Sequence, residues 1–263
     1  MSHKELGATR REKILAYIET HPFLARLVEP TLVSLLRRRI HPHEKLTKAE
    51  SAVVAQFISE LKVEKRKTKK PVIIAMVGLV GSGKSSVARA IARESHATVV
   101  EGDAMRTALS TAGLTYDHQR KMSEDAAIAV VEGGGNVVFD ADFMPLSKRA
   151  SLRARAKAVG AEVIFVRATC DYDVMSQRVR ESDAGPFFNK ASSASTATDK
   201  GKDVKMREMH RRTPHHYTWK NVVGGKWTLK NPNFKIFATI DTTKDGVAET
   251  EGKAVGAKIV SSF

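Results

Sequence analysis

Apolar residues follow two different periods along the chain, and the change falls near residue 70. Before it the spacing is helical: Ile14, Leu15 and Ile18 lie at i, i+1, i+4, and Leu32, Leu35, Leu36 and Ile40 repeat the period. Thr47-Lys-Ala-Glu50 has capping-box spacing ahead of an apolar face of Val53, Val54, Phe57, Ile58 and Leu61. Pro22, Pro30 and Pro42 punctuate the segment, and the run Lys65-Arg-Lys-Thr-Lys-Lys70 closes it before Pro71. A helical, basic module over 1–70 is predicted, with no role legible in its residues. The charge run itself reads as a solvated linker or helix end, with phosphate contact as the alternative.

From Val72 onward, short apolar runs alternate with helical stretches. Val72–Val77, Ala97–Val100, Asn136–Phe139, Glu162–Val166 and Lys235–Ile240 are the predicted strands, with helices over 84–94, 121–132, 146–158 and 172–181. That alternation predicts an α/β domain over 71–263, with a mainly parallel five-stranded sheet and helices on both faces. Ala191-Ser-Ser-Ala-Ser-Thr-Ala-Thr198 is low in complexity and is expected to be mobile.

Composition narrows the classes. Of 263 residues, 42% are hydrophobic and 28% charged, enough apolar material for a core, which excludes a disordered chain. The longest apolar-and-glycine run, Val72–Gly81, is far short of the ~20 residues that cross a bilayer, so no membrane partner is expected. A polar, basic start (Ser2, His3, Lys4, Glu5) without an apolar stretch behind it gives no sign of a secretory leader. One cysteine, Cys170, cannot form an intrachain disulfide, and a reducing, cytoplasmic setting is expected. Net charge is +15 but unevenly spread: +8 over 1–70, +1 over 71–190 and +6 over 191–263. The basic flanks could draw in nucleic acid or another anionic partner, or simply be solvated surface.

The strongest chemical signal is Gly78-Leu-Val-Gly81-Ser82-Gly83-Lys84-Ser85, placed after an apolar strand and before a helix that begins around Ser86. Its spacing and context are those of a P-loop. Glycines let successive N–H groups turn toward one phosphate cluster, and the following helix adds its positive end. Lys84 supplies a mobile charge for the outer phosphates, and the Ser85 hydroxyl is a hard ligand for Mg2+. Gly78, Gly81, Ser82, Gly83, Lys84, Ser85 and Ser86 are therefore the expected ATP site.

At the end of the second predicted strand, Glu101-Gly-Asp103-Ala-Met-Arg106 puts an acid and an Arg on one side of a cleft mouth. A P-loop followed by Asp-x-x-Arg resembles the P-loop kinase superfamily, which includes polynucleotide 5′-hydroxyl kinases, zeta-toxin-like kinases and adenylylsulfate kinases. The resemblance covers residues 72–181 with some specificity. It implies a three-layer P-loop NTPase fold, ATP and Mg2+ as cofactors, and transfer of the γ-phosphoryl group to an acceptor hydroxyl. It gives Asp103 the role of orienting or deprotonating that hydroxyl and Arg106 that of binding an anionic group of the acceptor. Asn136-Val-Val-Phe-Asp140-Ala-Asp142 resembles a Walker B strand, with Asp140 as the second Mg2+ ligand and Asp142 able instead to face the acceptor. A lid helix near 171–182 would bring Arg178 or Arg180 over the transferring group, and i, i+2 spacing lets only one point inward.

Beyond the lid, 183–234 interleaves cations with Phe187, Phe188, Tyr217, Trp219 and Trp227. Such a stretch suits a phosphate-and-base surface. It equally suits an insertion with its own small core and a basic rim. His210, His215 and His216 lack metal-ligand spacing. The stripe Arg149, Arg153, Lys157 reads as solvated surface. The function expected is an ATP-dependent kinase acting on a small-molecule or nucleic-acid 5′-hydroxyl. The alternative is a nucleic-acid-associated P-loop NTPase without such activity. Oligomeric state is not legible.

Overall fold

The computed structural model describes residues 45–181, 201–221 and 224–263, with backbone alone for 201–204. The helices expected over Ile14–Ile40 and the low-complexity stretch 191–198 lie outside the described residues.

β1 (Val72–Val77) is buried along its whole length. It lies between β3 (Asn136–Asp140) and β4 (Glu162–Thr169) in a sheet of order β2-β3-β1-β4-β7, where β2 is Ala97–Glu101 and β7 is Ala238–Asp241. Every pairing in it is parallel, and Ile74 stands beside Val138 on one side and Ile164 on the other. A parallel strand covered on both faces has no wet side, which is why β1 reads Val-Ile-Ile-Ala-Met-Val without alternation. All five C-terminal strand ends share one edge, and each helix or loop that carries chemistry leaves from it.

One face of the sheet is covered by α2 (Lys84–Ser95) and α8 (Val247–Ser262), whose Val87, Ile91 and Ile259 pack with Ile74, Met76, Val166 and Ile240. These two helices approach closely because Gly252 faces Ala90; a Cβ on Gly252 would lie 2.6 Å from that of Ala90. On the other face run α3 (Gly102–Thr111), α4 (Gln119–Glu132) and α5 (Leu146–Ala158), with a chain of ring contacts through Phe139, Phe143, Phe165 and Phe234. The result is an α/β three-layer fold with a parallel five-stranded sheet.

α1 (Lys48–Glu60) buries Val54 and Phe57 and packs with α3 and α4. Residues 48–263 form one unit, so this helix, grouped by its period with the amino-terminal module, travels with the α/β core. The basic run behind it is not purely solvated. Thr68 is buried, its hydroxyl donates to the Lys70 carbonyl (2.7 Å) and accepts from Asn136 Nδ2 (3.0 Å), while Asn136 Oδ1 takes the N–H of Val72.

Past β4, α6 (Tyr172–Glu181), α7 (Gly201–His216) and the antiparallel hairpin of β5 (Tyr217–Lys220) and β6 (Lys226–Leu229) form a lobe beside the sheet edge. Met209 and Tyr217 pack with Leu79, Cys170, Met175 and Val179, so in its described part the stretch after α6 shares a core with the glycine turn and α6. Among the described residues no helix is long and apolar enough to cross a membrane. The reading of Arg149 as solvated surface is corrected: it is buried, donates to the carbonyls of Phe143 (3.2 Å) and Met144, and stacks 3.6 Å over Phe234. A guanidinium has a planar apolar face, and periodicity cannot tell a stacked Arg from a solvated one.

Candidate active site

The glycine turn after β1 is held from outside as well as by its own backbone. Ser82 N–H closes on Leu79 O (3.1 Å), and Gly83, at φ +74°, is the N-cap of α2 and supplies no side-chain cap. The first amides of α2, at Lys84–Ser86, thus start a helix whose positive end is not taken up by a capping side chain. A Cβ on Gly83 would lie 2.9 Å from Thr242 Oγ1, and one on Gly81 2.7 Å from Val179. The turn is therefore clamped between α6 and the segment after β7. Thr242 Oγ1 donates toward the Ser82 carbonyl (3.0 Å) and is also within reach of the Thr169 carbonyl.

Asp142 braces the turn from below. Its Oδ1 accepts from Gly78 N (3.3 Å) and Met144 N (3.1 Å), and its Oδ2 faces His216 Nε2 at 3.1 Å. Both side chains are buried. Burial alone would raise this carboxyl, but the hydrogen bond and charge of His216, with the charges of Lys148 and Lys84, hold it far below the usual carboxylate range.

Asp140 ends β3 directly across from Glu101 of β2. Burial and the neighbouring Asp140 and Asp103 carboxylates raise Glu101 above its ordinary value, against the pull of Arg89, which lies 3.6 Å away. Asp103, on the first turn of α3, is ion-paired with Arg106. Lys148 of α5 donates to the Asp142 carbonyl (3.0 Å), and burial with the nearby Arg212, Arg106 and Arg120 pulls its ammonium down to about 8.

Two findings with known proteins bear on this arrangement. A family model described as "AAA domain" matches residues 73–197. A suspected kinase from Chloroflexus aurantiacus superposes with a TM-score of 0.50 at 15% identity, over 74% of this chain and all of that one. The chain has a three-layer P-loop NTPase fold. Two further solved structures are similar to it. One is the Mycobacterium tuberculosis APS kinase with AMPPNP and APS: TM-score 0.43, 19% identity, 71% of this chain and 95% of that chain. The other is a gluconokinase from Sinorhizobium meliloti: TM-score 0.42, 19% identity, 73% and 94%. No curated protein matches.

Within this fold, Gly78, Gly81, Ser82, Gly83, Lys84, Ser85 and Ser86 come together in one turn, with Asp140 at the end of the adjacent strand. Of the two arginines at the end of α6, Arg178 turns inward. Its guanidinium reaches Cys170 Sγ (3.4 Å), Thr242 Oγ1 (3.4 Å), the Thr243 carbonyl (3.3 Å) and Asp245 (3.2 Å). Arg180 is exposed and donates within its own helix to Ser176 O. Asp142, the alternative acceptor-facing carboxylate, lies under the P-loop instead.

Sequence reasoning missed His216, Lys148 and Thr242. His216 pairs with Asp142 across 74 positions, and no local spacing signals such a pair. Lys148 sits in an ordinary helical stretch. Thr242 had a faint signal, since it follows the last strand on the edge that carries the P-loop.

Proposed function

We propose that this chain binds Mg·ATP and transfers the γ-phosphoryl group to a hydroxyl of an acceptor. The observation that carries the reading is the uncapped start of α2 at the glycine turn, with the Asp140 carboxylate on the neighbouring strand.

The donor set suits Mg2+: a serine hydroxyl and a carboxylate are hard oxygen ligands, and Mg2+ in phosphoryl transfer takes one or two protein oxygens and completes its shell with phosphate and water. Ser85 and Asp140 would hold it, and when bound it neutralises charge on the β- and γ-phosphates. Lys84 and the turn amides bind the phosphates. Asp103, fixed by Arg106, accepts the proton of the acceptor hydroxyl as its oxygen bonds to the γ-phosphorus and the bond to ADP breaks. Arg178 is the lid arginine whose inward orientation lets it stabilise charge on the transferring group. A buried Cys170 suits a reducing, cytoplasmic setting.

The test is transfer of labelled γ-phosphate to a panel of 5′-hydroxyl RNA and DNA, nucleosides, sugars, nucleotide sugars and adenylylsulfate. Asp103→Asn should lose turnover and keep ATP affinity. Undiminished turnover in that variant would remove Asp103 from the proton-accepting role, and labelled nucleic acid alone would identify a 5′-hydroxyl polymer as the acceptor.

A further inference from the structure

The basic run before β1 is fixed along its backbone, and most of its cationic side chains take no part in fixing it. Thr98 Oγ1 donates to the Lys62 carbonyl (3.1 Å), the Arg66 N–H to the Gly134 carbonyl (3.1 Å), and the Lys69 and Lys70 N–H groups to the Phe263 carbonyl (2.8 and 3.2 Å). Thr68 is buried and bonded to Asn136. Lys67 and Glu64 are both taken up by His96, at 2.6 and 3.2 Å. A charge run ordinarily stays solvated. This one is laid across the end of the sheet at which β1 begins.

Lys65, Arg66 and Lys69 are left over from these ties. They line an open cavity of about 560 Å3 together with Val63, Thr68 and the Gly133-Gly134 turn after α4. No carboxylate lines it, and among the described residues none stands at ion-pair distance from any of the three cations. Arg66 is partly buried there. A partly buried guanidinium with two ammonium groups on the same cavity and no carboxylate is stabilised by taking an anion. Gly134 keeps room for one: it sits at φ +88°, which a side chain avoids, with open space where a Cβ would stand.

We propose that this cavity binds a phosphate ester of a small organic molecule, its phosphate on Lys65, Arg66 and Lys69 and its organic part against Val63. An unopposed set of three cations matches a phosphate dianion, whose oxygens suit the guanidinium fork and two ammonium groups together. Val63, 39% exposed, is the apolar side chain on the wall and offers carbon a surface. The volume falls among those of small-ligand sites, ~300–1,000 Å3. A nucleic-acid strand would want aromatic faces for its bases, and no aromatic residue lines this cavity. The ester is a second ligand and not the acceptor of the proposed transfer: β1 spans six residues between this cavity and the glycine turn, roughly 20 Å.

NMR titration of the isotopically labelled full chain tests the site, with Mg2+ and a non-hydrolysable ATP analogue saturating the glycine turn and ionic strength held constant. The probes are inorganic phosphate, phenyl phosphate and a single-stranded DNA oligonucleotide. Saturable shifts of the Arg66, Gly133 and Gly134 amides are expected with both phosphates, severalfold tighter for phenyl phosphate, and Val63→Ser should remove that gain. Arg66→Gln should weaken both about tenfold, as for losing a charge-assisted hydrogen bond, and the exposed Lys69→Gln by a smaller factor. No saturable shift at these amides, or wild-type affinity in both charge variants, would overturn the site. Equal affinity for the two phosphates would remove the organic part, and an oligonucleotide binding there more tightly than phenyl phosphate would replace the small ester with a polymer. Should Arg66→Gln not fold, Lys69→Gln decides alone. Failure to bind the analogue would strike the kinase reading and leave the shifts at these distant amides readable.

Discussion

His216 Nε2 lies 3.1 Å from Asp142 Oδ2, and the other oxygen of that carboxylate receives the amide of Gly78, the first residue of the glycine turn. A side chain from α7 thus supports the backbone of the glycine turn through a single buried carboxylate. Asp142→Ala should destabilise the fold by about 3 kcal/mol, because it strands His216 and the Gly78 amide together. Asp142→Asn should be milder and should separate charge from shape. The folded-state carboxyl lies below its ordinary 3.8, so its contribution is present above about pH 4 and is lost as pH falls further. The stability gap between wild type and Asp142→Asn, measured by urea unfolding, should be full at pH 7 and shrink below pH 4. A gap independent of pH would mean the charge is not what stabilises.

Gly83→Ala should abolish nucleotide binding. Residues with a Cβ avoid φ +74°, and the added methyl would sit 2.9 Å from Thr242 Oγ1, an atom already engaged with Ser82 O. Thr242→Ala, which removes the clamp without straining the turn, should weaken the nucleotide by a smaller factor. Fluorescent-nucleotide titration of both variants checks the order.

These interactions explain what could be read in advance. Val72–Val77, the helix from Lys84 and the strand ending at Asp140 were legible because apolar runs and glycine spacing are local properties. The strand ending at Asp241 was placed slightly early: Ile236 and Phe237 are apolar enough to pass for strand, but the regular strand begins at Ala238, with Phe237 giving only its N–H to the Phe165 carbonyl. α8 escaped notice because Gly252 and Gly256, poor helix formers in isolation, are there for close packing on α2. Arg149 and His216 were beyond reach for another reason: their partners lie on different elements, and only the folded chain brings them together.

Arg178 and Arg180 should behave differently despite standing two residues apart. Arg178→Met removes a group tied to the Thr242–Asp245 turn, and on the proposed role should lower kcat about a hundredfold with a smaller change in KM for ATP. Arg180→Met removes an exposed side chain and should stay within about twofold of wild type. Steady-state kinetics on any acceptor found by the panel makes the comparison, and equal losses would remove the special role of Arg178.

Gly252→Ala tests whether the packing of α8 reaches the phosphate turn. In an isolated helix the change would stabilise by up to about 1 kcal/mol. Here the new methyl would stand 2.6 Å from Ala90 Cβ, and overpacking of this kind costs about 1–3 kcal/mol, so a net loss is expected. Relief requires α2 and α8 to move apart. α2 starts at Lys84, and α8 follows the Thr242 segment that clamps Gly83, so separating the helices opens the turn at both sides. The variant should therefore show a lower unfolding midpoint together with weaker ATP-analogue binding, whereas Glu251→Ala, on the exposed side of the same helix, should leave both within experimental scatter. A destabilised variant with undiminished nucleotide affinity would mean that the strain is absorbed within the helices and does not reach the turn.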